Sequence, residues 1–119
     1  MFKEALETVV EGTDGGMAGI LMDFEGIAVE SYVKADAPFN IDTIGAEFSV
    51  VVKAIQRAAE SLEAGTANEV SILSERVLTI IRVINKTYFL ALALDPGGNI
   101  GKGRYLLRIA APKLDIELS

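Results

Sequence analysis

The chain opens with apolar residues at helical spacing. Phe2, Leu6, Val9 and Val10 fall on one side and Glu4, Glu7 and Glu11 on the other. Gly12-Thr13-Asp14-Gly15-Gly16 breaks that segment, as a glycine cluster should. The period then changes. Residues 17–23 form an apolar run of strand length, Phe24-Glu25-Gly26 makes a tight connection, and residues 27–33 resume with Ile27, Val29 and Val33 on one face. Two such runs about a glycine-containing turn predict a β-hairpin.

After a loop at 34–40, marked by Pro38, comes the longest periodic segment. Asn40 or Asp42 is placed to cap a helix that runs to about Ala64 and ends at Gly65. Its apolar positions are Ile41, Ile44, Phe48, Val51, Val52, Ile55, Ala58, Ala59 and Leu62, with Ala46, Val50 and Ala54 on a flank. That stripe is wider than one contact with a sheet requires, so a second packing partner is expected.

The second half is rich in β-formers. Residues 68–74, 76–84 and 87–94 are strand candidates, joined at Ser74-Glu75 and Asn85-Lys86 by connections too short for crossovers. They predict an antiparallel meander whose last two strands, apolar on both faces, are covered on both sides. Ala91 and Ala93 leave room for a helix to approach closely. Asp95-Pro96-Gly97-Gly98-Asn99 is a turn, and Ile100, Tyr105, Leu106, Ile109 and Ala110 predict a final helix stopped before Pro112. The expected fold class is α+β, in the order α-β-β-α-β-β-β-α. A five-stranded antiparallel sheet carries helices on both faces, within one domain covering 1–119.

Composition removes most kinds of chemistry. The chain has no Cys and no His, so disulfides, thiol nucleophiles, imidazole acid–base steps and Ser/His/Asp triads are excluded. We expect no catalytic residue, metal or cofactor. The longest apolar stretches, such as 88–94, fall well short of the ~20 residues a bilayer core demands, so no membrane insertion is expected. The first residues are acidic and amphipathic rather than basic and then apolar, which points to a cytoplasmic protein. A net charge of −6 argues against nucleic acid as a partner. The charge is also uneven. Residues 1–63 carry 4 basic and 12 acidic side chains, whereas 64–119 carry 7 and 5. Lys102, Arg104, Arg108 and Lys113 read as the solvated face of the last helix.

Three local patterns look like chemistry and fail on inspection. Gly97-Gly98-Asn99-Ile100-Gly101-Lys102-Gly103 lacks the Ser or Thr that a phosphate-binding loop needs after its lysine, and Pro96 stands where the first glycine belongs. Asp23 and Glu25 flank a turn, where carboxylates are ordinarily solvated. Asp14 has none of the further oxygen donors that a calcium loop places at fixed offsets. Thr79 and Arg82 are the only polar residues at interior strand positions, too few for a ligand pocket. What remains is the polar side of the long helix, with Ser49, Lys53, Gln56, Arg57 and Glu60 beside surplus apolar surface. An apolar centre with a polar rim is the composition of a protein–protein surface.

The order of elements resembles the roadblock/LC7 family, in particular its MglB-like prokaryotic members. The resemblance is carried by Gly19-Ile20-Leu21-Met22-Asp23-Phe24-Glu25-Gly26, by Ile41-Asp42-Thr43-Ile44 and by Gly98-Asn99-Ile100-Gly101-Lys102-Gly103-Arg104-Tyr105-Leu106-Leu107-Arg108. It implies a non-catalytic dimer, homodimer or heterodimer, in which the edge strand Glu69, Val70, Ser71, Ile72, Leu73 and Ser74 pairs with its mate and the long helices pack beside it. Val70 and Ile72 would face one way and Ser71 and Leu73 the other. It further implies a small Ras-like GTPase lying across the paired helices, against Ser49, Lys53, Gln56 and Arg57, in some members with a GTPase-activating effect. Arg57, the lone arginine of that helix, is then a contact residue and not an inserted catalytic one. A structural scaffold subunit without effect on nucleotide turnover is the alternative.

Overall fold

In the computed structural model, which describes residues 1–34 and 36–119, eight elements follow the expected order. They are α1 (Phe2–Glu11), β1 (Gly16–Asp23), β2 (Ala28–Val33), α2 (Ile41–Ser61), β3 (Glu69–Leu73), β4 (Leu78–Val83), β5 (Tyr88–Leu94) and α3 (Ile100–Leu118). The strands form one antiparallel sheet in the order β2-β1-β5-β4-β3. The predicted loop at 34–40 includes Ala35, which lies outside the described residues.

The central strands are apolar on both faces because each face carries its own core. On one side Leu6, Val9 and Val10 of α1 and Leu107 and Leu114 of α3 close over Leu21, Ile80, Leu90 and Leu92. On the other, Ile41 and Val52 of α2 close over Ile20, Met22, Ile81, Phe89 and Ala91. The two helical layers explain the doubled apolar pattern of β4 and β5.

Both long helices begin where a side chain can replace the missing backbone acceptor. Asn40 Oδ1 accepts from the amides of Asp42 and Thr43 at 3.0 and 3.2 Å, so Asn40 and not Asp42 is the cap. Asn99 Oδ1 accepts from Lys102 N at 3.0 Å. The glycine-rich segment before α3 is a joint between the chain's ends. Asn99 N donates to Asp14 O and Asp95 N to Gly15 O, at 2.9 and 2.8 Å. A Cβ on Gly98 would stand 2.5 Å from the Asp14 carbonyl oxygen, so a close backbone approach explains that glycine.

Two expectations need correction. The long helix ends at Ser61, with Leu62 as its C-cap, and not at about Ala64. The last helix does not stop before Pro112 but runs through it to Leu118. The proline ring is exposed and removes one amide, while Ala110, Ala111 and Leu114 on the inner face stay buried and hold the helix together. Tyr105 and Ile109, two of the apolar residues that mark this helix, are 47% and 36% exposed, and Gly103 and Leu107 face the core. Ile27, Val29 and Val33 are exposed, since β2 is an edge strand that α2 does not cover there.

Candidate functional site

The long helix docks by its smallest residues. Its buried positions are Ile41, Gly45, Ser49 and Val52. A Cβ on Gly45 would lie 2.9 Å from Met22 Sδ, so absence of a side chain brings α2 down onto β1. This close seat turns the larger apolar residues outward. Val50, Val51 and Leu62 are 68%, 43% and 78% exposed, and Ile44 and Phe48 are only partly buried against the core. The surplus apolar flank expected from the sequence is therefore present.

Ser49 does not belong to the polar surface on which the sequence places it. It is 3% exposed, and its hydroxyl donates to the Ala46 carbonyl at 2.7 Å. A small side chain that satisfies itself on the preceding turn serves as a spacer, not a partner contact. The sequence signal for this was available: Gly45 and Ser49 are one turn apart, with Val52 next along the same face.

Lys53, Gln56 and Arg57 do come together. They line an open cleft of about 590 Å³ between α2, the β1–β2 turn and the β4–β5 turn, with Phe24, Val83 and Ile84 as apolar lining and Glu25, Glu60, Asn68 and Lys86 among the polar residues. Lys53 Nζ stands 3.4 Å from Glu25 Oε1, a loose surface ion pair. Gln56 is committed elsewhere: its amide donates to Ala67 O at 2.8 Å and accepts from Ala67 N at 2.9 Å, fastening the segment after α2 to the helix. Arg57 is exposed and has no ion-pair partner among the described residues. Charge available to a partner thus resides on Lys53 and Arg57. Lys86, from the turn between β4 and β5, is a lining residue that sequence reasoning missed, because nothing local marks a turn as facing a helix distant in the chain.

The turn carboxylates are structural. Asp23 Oδ1 accepts from Glu25 N and Ile27 N at 2.9 and 3.0 Å, closing the hairpin turn. Among the described residues, no group of three or more His, Cys, Asp or Glu is placed to hold a metal ion.

The edge strand β3 has a definite polarity. Asn68 O accepts from Val83 N and Ser74 N donates to Val77 O, both at 2.9 Å, with an uninterrupted register between them. Backbone groups at even positions therefore turn toward β4, and those of Glu69, Ser71 and Leu73 turn outward, unpaired among the described residues. Val70 and Ile72 are partly buried against the core on the α2 face of the sheet, while Leu73, on the other face, is 71% exposed. Ser74 falls beyond the strand, in the turn, with its amide already donated inward. Glu69 is held by Arg104, whose Nη2 lies 2.7 Å from Glu69 Oε2.

Helices on both faces of a five-stranded antiparallel sheet, in this order and with this open edge, define a class, and comparison with known proteins agrees. The chain belongs to the roadblock/LC7 family. It is similar to MglC from Myxococcus xanthus, with 42% identity over 98% of each chain and a TM-score of 0.71. The fold is shared with a Roadblock/LC7 domain from Streptomyces avermitilis (13% identity, 98% of this chain and 96% of that one, TM-score 0.86). The gliding protein MglB from Thermus thermophilus also has it (23% identity, 94% and 84%, TM-score 0.83). No protein-family model matches the chain, and no curated protein matches it in sequence.

Proposed function

We propose that this protein is a non-catalytic, dimeric platform in the cytoplasm that binds and regulates a small Ras-like GTPase, with residues 1–119 acting as one domain. The observation that carries the reading is the presence of three features together in one small domain. These are an edge strand with outward backbone groups, an exposed apolar flank on α2, and a charged cleft at Lys53 and Arg57. An unpaired edge and uncovered apolar surface are what a second copy would cover, as β3 extends the sheet into its mate and α2 packs beside its counterpart. The cleft then presents cations on a polar rim to the GTPase. Arg57 acts there by contact and not as an inserted transition-state group.

The test is capture from lysate of the source cell in the presence of a GTP analogue or GDP, followed by affinity measurement with the GTPase recovered. We expect retention that favours the GTP analogue. The Lys53→Glu/Arg57→Glu pair, both on the outer side of α2, should keep the fold and weaken binding about tenfold or more. An unchanged affinity removes this surface from the interface. A partner set indifferent to nucleotide supports a scaffold subunit instead.

A further inference from the structure

The chain is acidic, at −6, yet one surface has the opposite sign. A second cleft, of about 250 Å³, lies between β3 and the flank of α3 and is lined by Glu69, Gly101, Arg104, Tyr105 and Arg108. Glu69 is its single carboxylate, and Arg104 already occupies it, with Nε donating at 2.8 Å. Arg108 and Lys102 have no ion-pair partner among the described residues. Both flank one aromatic ring, with Arg108 Cζ 5.7 Å and Lys102 Nζ 5.8 Å from the centre of Tyr105. Arg82 stands directly across from Glu69 on β4, and so on the same face of the sheet; its Nε is buried without a hydrogen-bond partner. Arg104 and Arg108 thus line a cleft whose single carboxylate Arg104 already occupies, with Lys102 beside the Tyr105 ring and Arg82 across from Glu69 on β4 adding positive charge nearby.

We propose that this flank of α3, beside the edge strand, binds an acidic peptide segment of a partner protein. Like charges held close repel, and an arriving carboxylate relieves that repulsion while accepting hydrogen bonds from the Arg108 guanidinium that lines the cleft. The cleft is small and open, which suits single Asp or Glu side chains rather than an enclosed metabolite. Apolar contact is at hand, because Tyr105 and Ile109, one helical turn apart, are both exposed. A peptide supplies carboxylates and apolar side chains together. A nucleic acid does not, and its phosphates would be repelled at long range by the rest of the molecule. This surface is on the opposite face of the sheet from the α2 cleft, so the proposal stands independently of the GTPase reading.

The experiment is fluorescence anisotropy with a labelled Glu-Glu-Leu repeat peptide, its Gln-Gln-Leu counterpart, an oligo-dT strand, and phosphatidylserine vesicles as competitor. The Glu peptide should bind with an affinity that falls as salt rises, and the Gln peptide should bind about tenfold or more weakly by comparison. Lys102→Glu/Arg108→Glu should reduce Glu-peptide affinity by about tenfold or more, whereas the charge-matched Lys3→Glu/Lys113→Glu should change it by less than about threefold. Should the first pair disturb the fold, as judged by circular dichroism, Lys102→Gln/Arg108→Gln asks the same question more gently. Equal binding of the two peptides, equal losses in the two double variants, or tighter binding of oligo-dT or vesicles each overturns the proposal.

Discussion

Single side chains at the ends of elements decide where this chain bends. Asn40 replaces two backbone acceptors at the start of α2, and loss of an N-cap side chain costs about 1 kcal/mol. Asn40→Ala should lower the stability measured by urea unfolding by about that amount without altering the slope, because the surface exposed on unfolding is unchanged. A second residue-scale effect appears in titration. The Tyr32 hydroxyl donates to Glu11 Oε2 at 2.5 Å, tying β2 to the end of α1. That hydrogen bond first, then desolvation and the negative charges of Glu11 and Glu7, push the phenol up to about 12. Since the folded value is raised, the stabilisation is complete below the unfolded phenol value of about 10 and is lost as pH rises through the folded one. Phenolate absorbance should show one late-titrating tyrosine, and in Glu11→Gln its midpoint should move back toward the ordinary range.

At the scale of elements, local pattern and tertiary demand disagree in two places. Proline signals a helix end because it removes an amide and crowds the preceding turn, yet α3 continues through Pro112. The inner face beyond it still has Leu114 to bury, and Asn85 donates to Asp115 Oδ1 at 2.8 Å, so the final turns are held from outside the helix. Restoring the missing amide should therefore help. Pro112→Ala is expected to raise stability by about 1 kcal/mol, the helix-propensity gain being partly offset by a freer unfolded chain, and thermal unfolding will show the sign. In α2 the hydrophobic periodicity located the helix but neither its last turn, since it ends at Ser61 and not at Ala64, nor its rotation. The large apolar residues suggest one face, and the close seat of Gly45 and Ser49 on β1 selects another.

For the whole molecule the two sheet edges are not equivalent. The β2 edge is interrupted by an irregularity in its pairing between Leu21 and Met22 and carries Glu30, which makes it a poor template for another strand. The β3 edge is regular, and the backbone groups of Glu69, Ser71 and Leu73 turn outward from it. Under the dimer proposal this gives a sharper probe than charging Val70 or Ile72, which pack against the core. Ser71→Pro removes an outward amide and leaves the ladder to β4 intact. Light scattering should report a monomeric mass for this variant, with circular dichroism as in the parent. A mass unchanged from the parent dimer would remove β3 from the interface.

Much of this was decided by the sequence alone. Alternation and helical spacing fixed the number, type and order of elements, since those periodicities are set by backbone geometry that every residue shares. The missing cysteine and histidine excluded whole classes of chemistry for the same local reason. What the tertiary structure decided is which surfaces remain open. Ser49 is a spacer and Lys86 a cleft residue only because α2 comes down on β1 and swings over the β4–β5 turn. Arg104 meets Glu69, and Arg108 lines the same cleft, only because α3 crosses the sheet beside β3. Rotation of a helix and convergence of distant charges depend on how several elements pack at once, and no window of sequence contains that information.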